Sequence, residues 1–325
     1  MKRLLLILCF LLLVFPILAQ DTLPENFDVQ GHRGTRGLKP ENTLPSFETA
    51  LDLGVTTLEL DLHYTADDVV VISHNPAVGR ELCYLPEDSP VVIPTPSSSI
   101  STANPLRIRN LMLEDLQGFV CDLNQNASQF PLQNNDRTAI AGDTYHIPTL
   151  RELFELVEAY AESDLKTEEQ RENARQVRFN LESKRAGNSP ANIGDDFDGE
   201  NIGAFELAIL ALVEEFELED RVVIQSFDHR VLWAIARYNP DITLAALTNR
   251  GRARLDVYAE RGASIWSPRY TEINQAQIDE AHELGLQVIP WTVNDADDMR
   301  ELIAMGVDGI ITDRPDILLN LDSQE

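Results

Sequence analysis

Basic residues are scarce in this 325-residue sequence, which has 26 lysines and arginines against 54 aspartates and glutamates. The formal net charge at pH 7 is therefore −28. A protein that binds nucleic acid usually presents a basic face, so the composition disfavours that class. Anionic lipid headgroups would also repel so acidic a surface. We therefore expect no nucleic acid among the partners of this chain.

Long apolar runs are absent beyond the first residues. The one such run, "LLLILCFLLLVFPILA", follows Lys2 and Arg3 and ends at the small residue Ala19. This layout predicts a secretory signal peptide over residues 1–19. An uncleaved anchor is the alternative, but the run is slightly short for a full span and polar residues follow at once. We expect an exported protein, periplasmic or secreted, without stable membrane insertion after cleavage.

Cysteine occurs only three times. Cys9 lies inside the apolar run and no cysteine follows directly after Ala19, so a lipoprotein is not expected. Cys83 and Cys121 remain, and an even pair in an exported chain predicts a disulfide. Two buried free thiols are the alternative.

No G-x-G-x-x-G follows a predicted strand, which disfavours a doubly wound nucleotide-binding sheet. The chain instead alternates β-branched runs with segments of 3.6-residue hydrophobic spacing from residue 27 to about 320. Such alternation is typical of parallel strands covered by helices. About eight strand–helix units fit the length. We therefore predict the α/β class and a (β/α)8 TIM barrel over residues 27–320.

One stretch, residues 77 to about 147, breaks this alternation. It contains Pro, Ser and Asn clusters such as "LPEDSPVVIPTPSSSISTANP". Loops of this length in compact domains are usually functional or disordered. We predict an insertion after the second β-element, on the active face of the barrel and held by a bridge between Cys83 and Cys121. A loop without a role is the alternative.

Polar side chains gather where the predicted strands end, which is where TIM barrels carry their active sites. These strand-end residues are His32, Arg33, Glu59, Asp61, His74, Glu182, Lys184 and Trp291. Residues i and i+2 of a strand share one face. Glu59 and Asp61 should therefore point into the barrel together, and so should Glu182 and Lys184.

This combination of side chains indicates chemistry on an anionic substrate. Three converging carboxylates would repel one another unless a cation joined them, and hard oxygen donors favour Ca²⁺ or Mg²⁺ over zinc. Arg33 and Lys184 suit a phosphate, and His32 and His74 could transfer protons near neutral pH. Each of these residues alone could have a purely structural role, such as a surface ion pair. We do not expect all seven, the three carboxylates, two cations and two histidines, to lie at strand ends by chance.

The motifs "GHRG", "PENT", "ELDL", "SHNP", "NLESK", "PWTVN" and "GVDGIITDRP" together resemble those of the glycerophosphodiester phosphodiesterase family. The similarity extends from about residue 27 to 320. It implies a TIM barrel, one divalent cation (Ca²⁺ or Mg²⁺), and hydrolysis of a small glycerophosphodiester to an alcohol and glycerol 3-phosphate. The chain carries no pattern that specifies an oligomeric state.

The resemblance also implies a role for individual residues. His32 and His74 would form the acid/base pair, and the metal ligands would be Glu59, Asp61 and Glu182. Phosphate or substrate contacts would come from Arg33, Lys184, Trp291 and Phe227. The supporting residues would be Glu41, Asn42 and Asn75. The chain departs from the family at Asn75, where many members have aspartate after the histidine. "NLESK" departs in sequence but keeps the Glu-x-Lys spacing.

Two other functions are consistent with the same barrel. A phospholipase D-like enzyme would cleave lipid headgroups and would need an apolar rim facing the membrane, whereas the insertion here is polar and rich in proline. A catalytically silent binding module would have lost a histidine or a ligand acid, and this chain retains them all.

Overall fold

The structure, a computed structural model, describes residues 23–92, 104–251 and 253–321. The predicted signal peptide and part of the predicted insertion, residues 93–103, lie outside these ranges. Within them, no helix has both the length and the apolar character needed to cross a bilayer.

Eight parallel strands form the centre of the fold. They are β1 (Asp28–His32), β2 (Thr57–Tyr64), β4 (Arg178–Ser183), β5 (Val222–Ser226), β6 (Thr243–Thr248), β7 (Ile265–Pro268), β8 (Gln287–Val288) and β9 (Gly309–Thr312). Their spatial order is β8-β7-β6-β5-β4-β2-β1-β9. Backbone bonds from Ile311 N to Pro290 O (3.0 Å) and from Asp308 N to Val288 O (2.9 Å) join the two ends of this order. The predicted TIM barrel is confirmed.

Helices alternate with these strands, as the 3.6-residue spacing predicts. They are α1 (Leu44–Leu53), α2 (Leu113–Gln117), α3 (Leu150–Ala161), α4 (Glu168–Gln176), α5 (Ala204–Glu215), α6 (His229–Tyr238), α7 (Leu255–Glu260), α8 (Gln275–Glu283), α9 (Ala296–Ala304) and α10 (Pro315–Leu318). The sequence analysis missed α4, because only Ala174 of this helix is buried and its apolar pattern is weak. A capping box of Thr167 and Gln170 was the available signal.

The segment "VVVISH" forms a strand that is not one of the eight barrel strands. Its strand β3, Val70–Ile72, pairs antiparallel with β2 and lies off the barrel path. The hairpin carries the chain back toward the barrel mouth, where Ser73 N donates to the Asp61 carbonyl at 2.9 Å. His74 therefore reaches the mouth from an antiparallel strand. "QVIPWTV" is likewise a strand only over β8, since Pro290 lacks the N–H that a longer ladder requires.

The barrel interior combines an apolar cluster with partnered polar side chains. The apolar cluster contains Val223, Ala245, Ile265, Ile289 and Ile311, all buried. The polar side chains lie on β1, β2, β4 and β5, where Asn180 Nδ2 donates to Gln30 Oε1 at 2.7 Å and Gln225 Nε2 donates to Glu59 Oε1 at 2.8 Å. Buried polar groups are stable only when partnered. These amide contacts therefore hold the polar part of the interior in place.

The insertion has a hydrophobic cluster of its own, so its described part is a packed unit. The buried members are Val71, Val78, Cys83, Leu106, Ile108, Leu111, Leu116, Phe119, Cys121 and Ile147. Cys83 and Cys121 are joined by a disulfide at 38 residues of sequence separation. The bridge links two segments that also pair through Tyr84 and Val120.

Replacing Cys83 and Cys121 together with serine should lower the free energy of unfolding by about 2–4 kcal/mol, because the bridge restricts the unfolded chain. Urea titration of the double variant and of the oxidised wild-type protein measures the difference. Wild-type protein treated with dithiothreitol is the control and should match the double variant. Equal midpoints for oxidised and reduced protein would contradict the prediction.

Candidate active site

A tight turn after β1 positions the first two polar side chains. Gly34 lies at φ +82°, and a Cβ there would approach Ser46 Oγ to 2.5 Å, so the turn requires glycine. Arg33 and Asn42 also adopt the left-handed conformation, at φ +52° and +56°. Asn42 N donates to the Arg33 carbonyl at 3.0 Å. The turn therefore folds back and places both side chains beside the end of β2.

Three buried carboxylates meet at the end of β2 and β4. Asp61 and Glu182 are register partners on these strands, and Glu59 precedes Asp61 by two residues on the same face. One oxygen from each carboxylate lies within 4.8 Å of the others. Arg33 N donates to Glu59 Oε2 at 3.0 Å, and Asn42 Nδ2 donates to Asp61 Oδ2 at 2.8 Å. The backbone and amide donors thus fix the orientation of two of the three acids.

Burial and mutual repulsion shift the pKa values of the three carboxylates. Burial raises the pKa of Glu182 to about 7, and burial with repulsion from Asp61 and Glu182 raises that of Glu59 well above its usual range. Burial would also raise the pKa of Asp61, but Lys184 and Arg33 hold it well below its usual range. Their nitrogens lie 3.3 Å and 3.1 Å from the Asp61 oxygens. Lys184 Nζ also lies 2.8 Å from Glu182 Oε1, so two cationic side chains serve three acids, whose oxygen donors fit a hard divalent cation.

His32 is oriented by an aspartate that the sequence analysis missed. Its Nδ1 lies 2.6 Å from Asp313 Oδ1, and Asn294 Nδ2 donates to Asp313 Oδ2 at 2.8 Å. Burial opposes ionisation of Asp313, yet His32 and Arg36 lower its pKa to about 2. Burial in turn lowers the pKa of His32. A neutral ring that donates from Nδ1 presents Nε2 toward the carboxylates, 4.0 Å from Glu59 Oε2.

His74 faces the same space from the β3 side. Its Nδ1 lies 3.0 Å from Asn75 Oδ1, and His63 Nε2 lies 3.3 Å from the His74 carbonyl. Burial, assisted by the positive charges of Arg33 and Lys184, lowers the pKa of His74 to about 4. The amide oxygen of Asn75 can thus orient the ring.

These side chains surround a cavity of about 280 Å³. Its wall contains His32, Arg33, Glu59, His74, Glu182, Lys184, Phe227 and Trp291, together with Arg36, Gln225, Leu247, Asn249, Thr292 and Ile311. Phe227 is 41% exposed and meets Trp291 edge to face, with ring centroids 5.5 Å apart. Asp61, Glu41, Asn42 and Asn75 do not line this cavity but contact residues that do.

The structure therefore brings the strand-end residues together and adds some that were not singled out. Asp313, Asn294, Gln225, His63 and Arg36 were missed. Position along the strands could have identified three of them. Asp313 directly follows β9, Gln225 lies near the end of β5, and His63 continues the i, i+2 series of Glu59 and Asp61. Arg36 lies in a turn and had no such signal.

Sequence comparison identifies relatives along nearly the whole chain. Residues 32–317 match the glycerophosphoryl diester phosphodiesterase family. A glycerophosphodiester phosphodiesterase of Caldanaerobacter subterraneus subsp. tengcongensis is 25% identical over 300 residues, covering 90% of this chain and 96% of the relative. A lysophospholipase D of Rattus norvegicus is 24% identical over 321 residues, covering 95% of this chain and 91% of the relative.

Solved structures share the fold. The crystal structure of a glycerophosphoryl diester phosphodiesterase homologue from Silicibacter pomeroyi superposes with a TM-score of 0.72 at 28% identity, covering 91% of this chain and 93% of that one. A phosphodiesterase from Oleispira antarctica, in complex with the product sn-glycerol-3-phosphate, superposes with a TM-score of 0.65 at 18% identity. That match covers 93% of this chain and 98% of the other.

Proposed function

The chain belongs to the glycerophosphoryl diester phosphodiesterase family and is an enzyme of that class, and we propose that it is metal-dependent and hydrolyses glycerophosphodiesters to an alcohol and glycerol 3-phosphate. The observation that carries the proposal is the cluster of three buried carboxylates within 4.8 Å of one another. Two histidines and three cationic side chains line the same cavity.

The proposed metal ligands are Glu59, Asp61 and Glu182. Their oxygens suit Ca²⁺ or Mg²⁺. The raised pKa values of Glu59 and Glu182 mean that a bound cation would stabilise their ionised forms. When bound, such a cation would polarise the phosphoryl oxygens and compensate negative charge in the transition state. Gln225 and Asn42 support the site by holding Glu59 and Asp61 in place.

Arg33 and Lys184 are the proposed phosphate contacts. Arg33 is buried and Lys184 is half-buried in the cavity wall, and each also pairs with an acid of the cluster. Fixed donors in a site that excludes water stabilise developing charge more strongly than mobile solvent does. The exposed ring of Phe227 and the half-buried ring of Trp291 would contact the carbon skeleton of the substrate at the cavity rim.

His32 and His74 are the proposed acid and base. Burial lowers the pKa of both rings, which favours their neutral forms. In the orientation set by Asp313, neutral His32 Nε2 can accept the proton of the hydroxyl that attacks phosphorus, from the substrate or from water. As the bond from phosphorus to the alcohol breaks, His74, held by Asn75 and protonated in the presence of the anionic diester, can deliver its proton to the departing oxygen. If a substrate hydroxyl attacks, water then opens the cyclic phosphate with the two rings in reversed roles.

We expect purified protein to release glycerol 3-phosphate from glycerophosphocholine, to lose this activity in EDTA, and to regain it with Ca²⁺ or Mg²⁺. An enzyme-coupled glycerol 3-phosphate assay measures each step, and EDTA saturated with Ca²⁺ is the control for effects of the chelator itself. Full activity after exhaustive dialysis against EDTA would contradict metal dependence. Release of phosphocholine in place of glycerol 3-phosphate would contradict the bond that we propose is cleaved.

A lysophospholipase D activity is the second candidate. Curated relatives carry that name, and Phe227 with Trp291 forms an apolar part of the rim where an acyl chain could lie. Parallel assays with lysophosphatidylcholine and glycerophosphocholine separate the two. A preference for the lipid of more than about tenfold in kcat/KM would favour the second candidate.

The same proposal includes export of the mature enzyme. It is supported by the signal-peptide pattern of residues 1–19 and by the Cys83–Cys121 disulfide, since disulfides persist in oxidising compartments. Amino-terminal sequencing of protein recovered outside the cytoplasm checks it, with a terminus near Gln20 as the expected result.

A further inference from the structure

Arg36 is a cavity-lining cation to which the proposed reaction assigns no role. It follows β1 by four residues, and its side chain is 18% exposed. Its guanidinium shares the cavity wall with His32, Arg33 and Trp291. An arginine in that position can donate to an anionic oxygen group of a ligand.

Glu41 holds the guanidinium groups of Arg33 and Arg36 side by side. Its Oε1 lies 2.7 Å from Arg33 Nη1, and its Oε2 lies 3.1 Å from Arg36 Nε. One carboxylate is therefore shared by two positive charges. The other acid near Arg36 is Asp313, 3.9 Å away, and it already pairs with His32. The positive charge of Arg36 is thus only partly compensated by its neighbours.

Arg36 also differs from the other two cavity cations in its surroundings. Arg33 contacts Asp61 at 3.1 Å and Lys184 contacts Glu182 at 2.8 Å, so both belong to the carboxylate cluster. Arg36 contacts none of the three cluster acids within 4.0 Å in the part of the chain that the structure describes. Its charge is available to a ligand without weakening the cluster.

The insertion fixes this guanidinium. The buried ring of Phe130 lies under it, with the Arg36 Cζ 4.9 Å from the ring centroid. Gln133 Nε2 donates to the Arg36 carbonyl at 2.7 Å, and Asn134 N donates to the Leu38 carbonyl at 3.0 Å. Stacking on an aromatic face restricts a planar guanidinium and leaves its edge nitrogens free to donate.

From these contacts we propose that Arg36 is a further substrate-binding residue that takes an anionic oxygen group of the substrate, and that Phe130 is its positioning residue. The proposal rests on the proposed phosphodiesterase function. The anionic group is either the phosphodiester itself or a second acid on the alcohol. In both cases the insertion contributes to substrate binding through Phe130, although that ring does not line the cavity.

Arg36→Met keeps the unbranched length of the side chain and removes the charge. With the metal-loaded protein, KM should rise about tenfold or more, the size expected for losing a charge-assisted hydrogen bond, while kcat stays within about threefold. Glycerophosphocholine and glycerophosphoserine are the two substrates. Equal rises in KM for the two substrates would show that Arg36 binds the phosphodiester. A rise in KM for glycerophosphoserine alone would show that Arg36 binds the carboxylate of the serine.

The role of Phe130 is tested by coupling. Phe130→Leu should raise KM, as Arg36→Met does, and its melting temperature reports any loss of packing. Phe130→Tyr keeps the aromatic face and should have the KM of the wild-type protein. Adding Phe130→Leu to Arg36→Met should cause no further rise in KM, because residues that act through one another are not additive. Multiplicative effects of the two substitutions would overturn the positioning role.

Arg151 is the matched control. It stacks on the ring of Phe216 and pairs with Glu215, but it lies outside the cavity. Arg151→Met should leave KM unchanged. A KM within twofold of wild type for both substrates in Arg36→Met would overturn the proposal. If the wild-type protein releases no glycerol 3-phosphate, the proposed function fails. Calorimetry then measures the Kd of the same diesters, and a Kd for Arg36→Met within twofold of wild type would overturn the role of Arg36.

Discussion

Replacing His32 or His74 with alanine should lower kcat by about 10²- to 10⁴-fold, the usual contribution of a general acid or base. The affinity for Ca²⁺ or Mg²⁺ should stay nearly unchanged, since the three carboxylates provide the proposed ligands. The two rings serve one proton-transfer sequence. The double variant should therefore lose less than the product of the two single losses. Steady-state kinetics and calorimetric metal titration on the same preparations measure both quantities.

His282 is the matched control for this pair. It is an exposed histidine that pairs with Asp308 at 2.9 Å, away from the cavity, and His282→Ala should keep wild-type kcat. Melting temperatures separate a catalytic from a purely structural role, because loss of a core histidine lowers stability before it lowers turnover. A variant that keeps near-normal kcat, or loses metal in proportion to activity, would show that the assigned role of that histidine is wrong.

Glu59→Gln should abolish most activity and weaken metal binding together, since it removes one of three ligand charges without changing the shape of the side chain. We expect a loss of more than about 10²-fold in kcat/KM, in line with the several kcal/mol that a catalytic cation supplies. The fold should tolerate the change. Among the residues that the structure describes, Gln225 Oε1 has no hydrogen-bond partner, so its amide can turn to accept from the new Gln nitrogen.

The metal-free Glu59→Gln protein should be at least as stable as the metal-free wild type. Burial and two neighbouring acids raise the pKa of Glu59. Its ionised form therefore destabilises the folded state as pH rises above the ordinary pKa of glutamate, and glutamine removes that cost. Urea titration in EDTA at pH 8 measures the difference, with the surface variant Glu215→Gln as control. Lower stability in Glu59→Gln, or unchanged metal affinity, would contradict the assignment.

Local periodicity was sufficient to predict much of the site. Glu59 and Asp61 share a strand face because side chains alternate every residue, and the same rule pairs Glu182 with Lys184. Both strands show an alternation of polar and apolar residues, "TLELDLHY" and "RFNLES". The parallel register of the barrel then places Asp61 beside Glu182. The predicted strand-end positions therefore required no knowledge of distant contacts.

Contacts between distant segments could not be predicted in this way. Asp313 orients His32 across 281 residues, and Phe130 reaches Arg36 only because the insertion folds back onto the turn after β1. The antiparallel direction of β3 also has no local signal, since a short β-branched run has the same pattern in parallel and antiparallel pairing. Pairing partners, unlike strand faces, are properties of the whole sheet.

The sequence by itself thus determined the barrel, the acids that face its mouth and the family to which the motifs point, because each depends on periodicity and residue type over short stretches. Only the tertiary structure decided how charge is shared among those residues. Burial sets the pKa values of Glu59 and Glu182, and the sharing of Glu41 by Arg33 and Arg36 depends on a left-handed turn. Desolvation and Coulomb energies vary with position inside the fold, and no local pattern of residues encodes them.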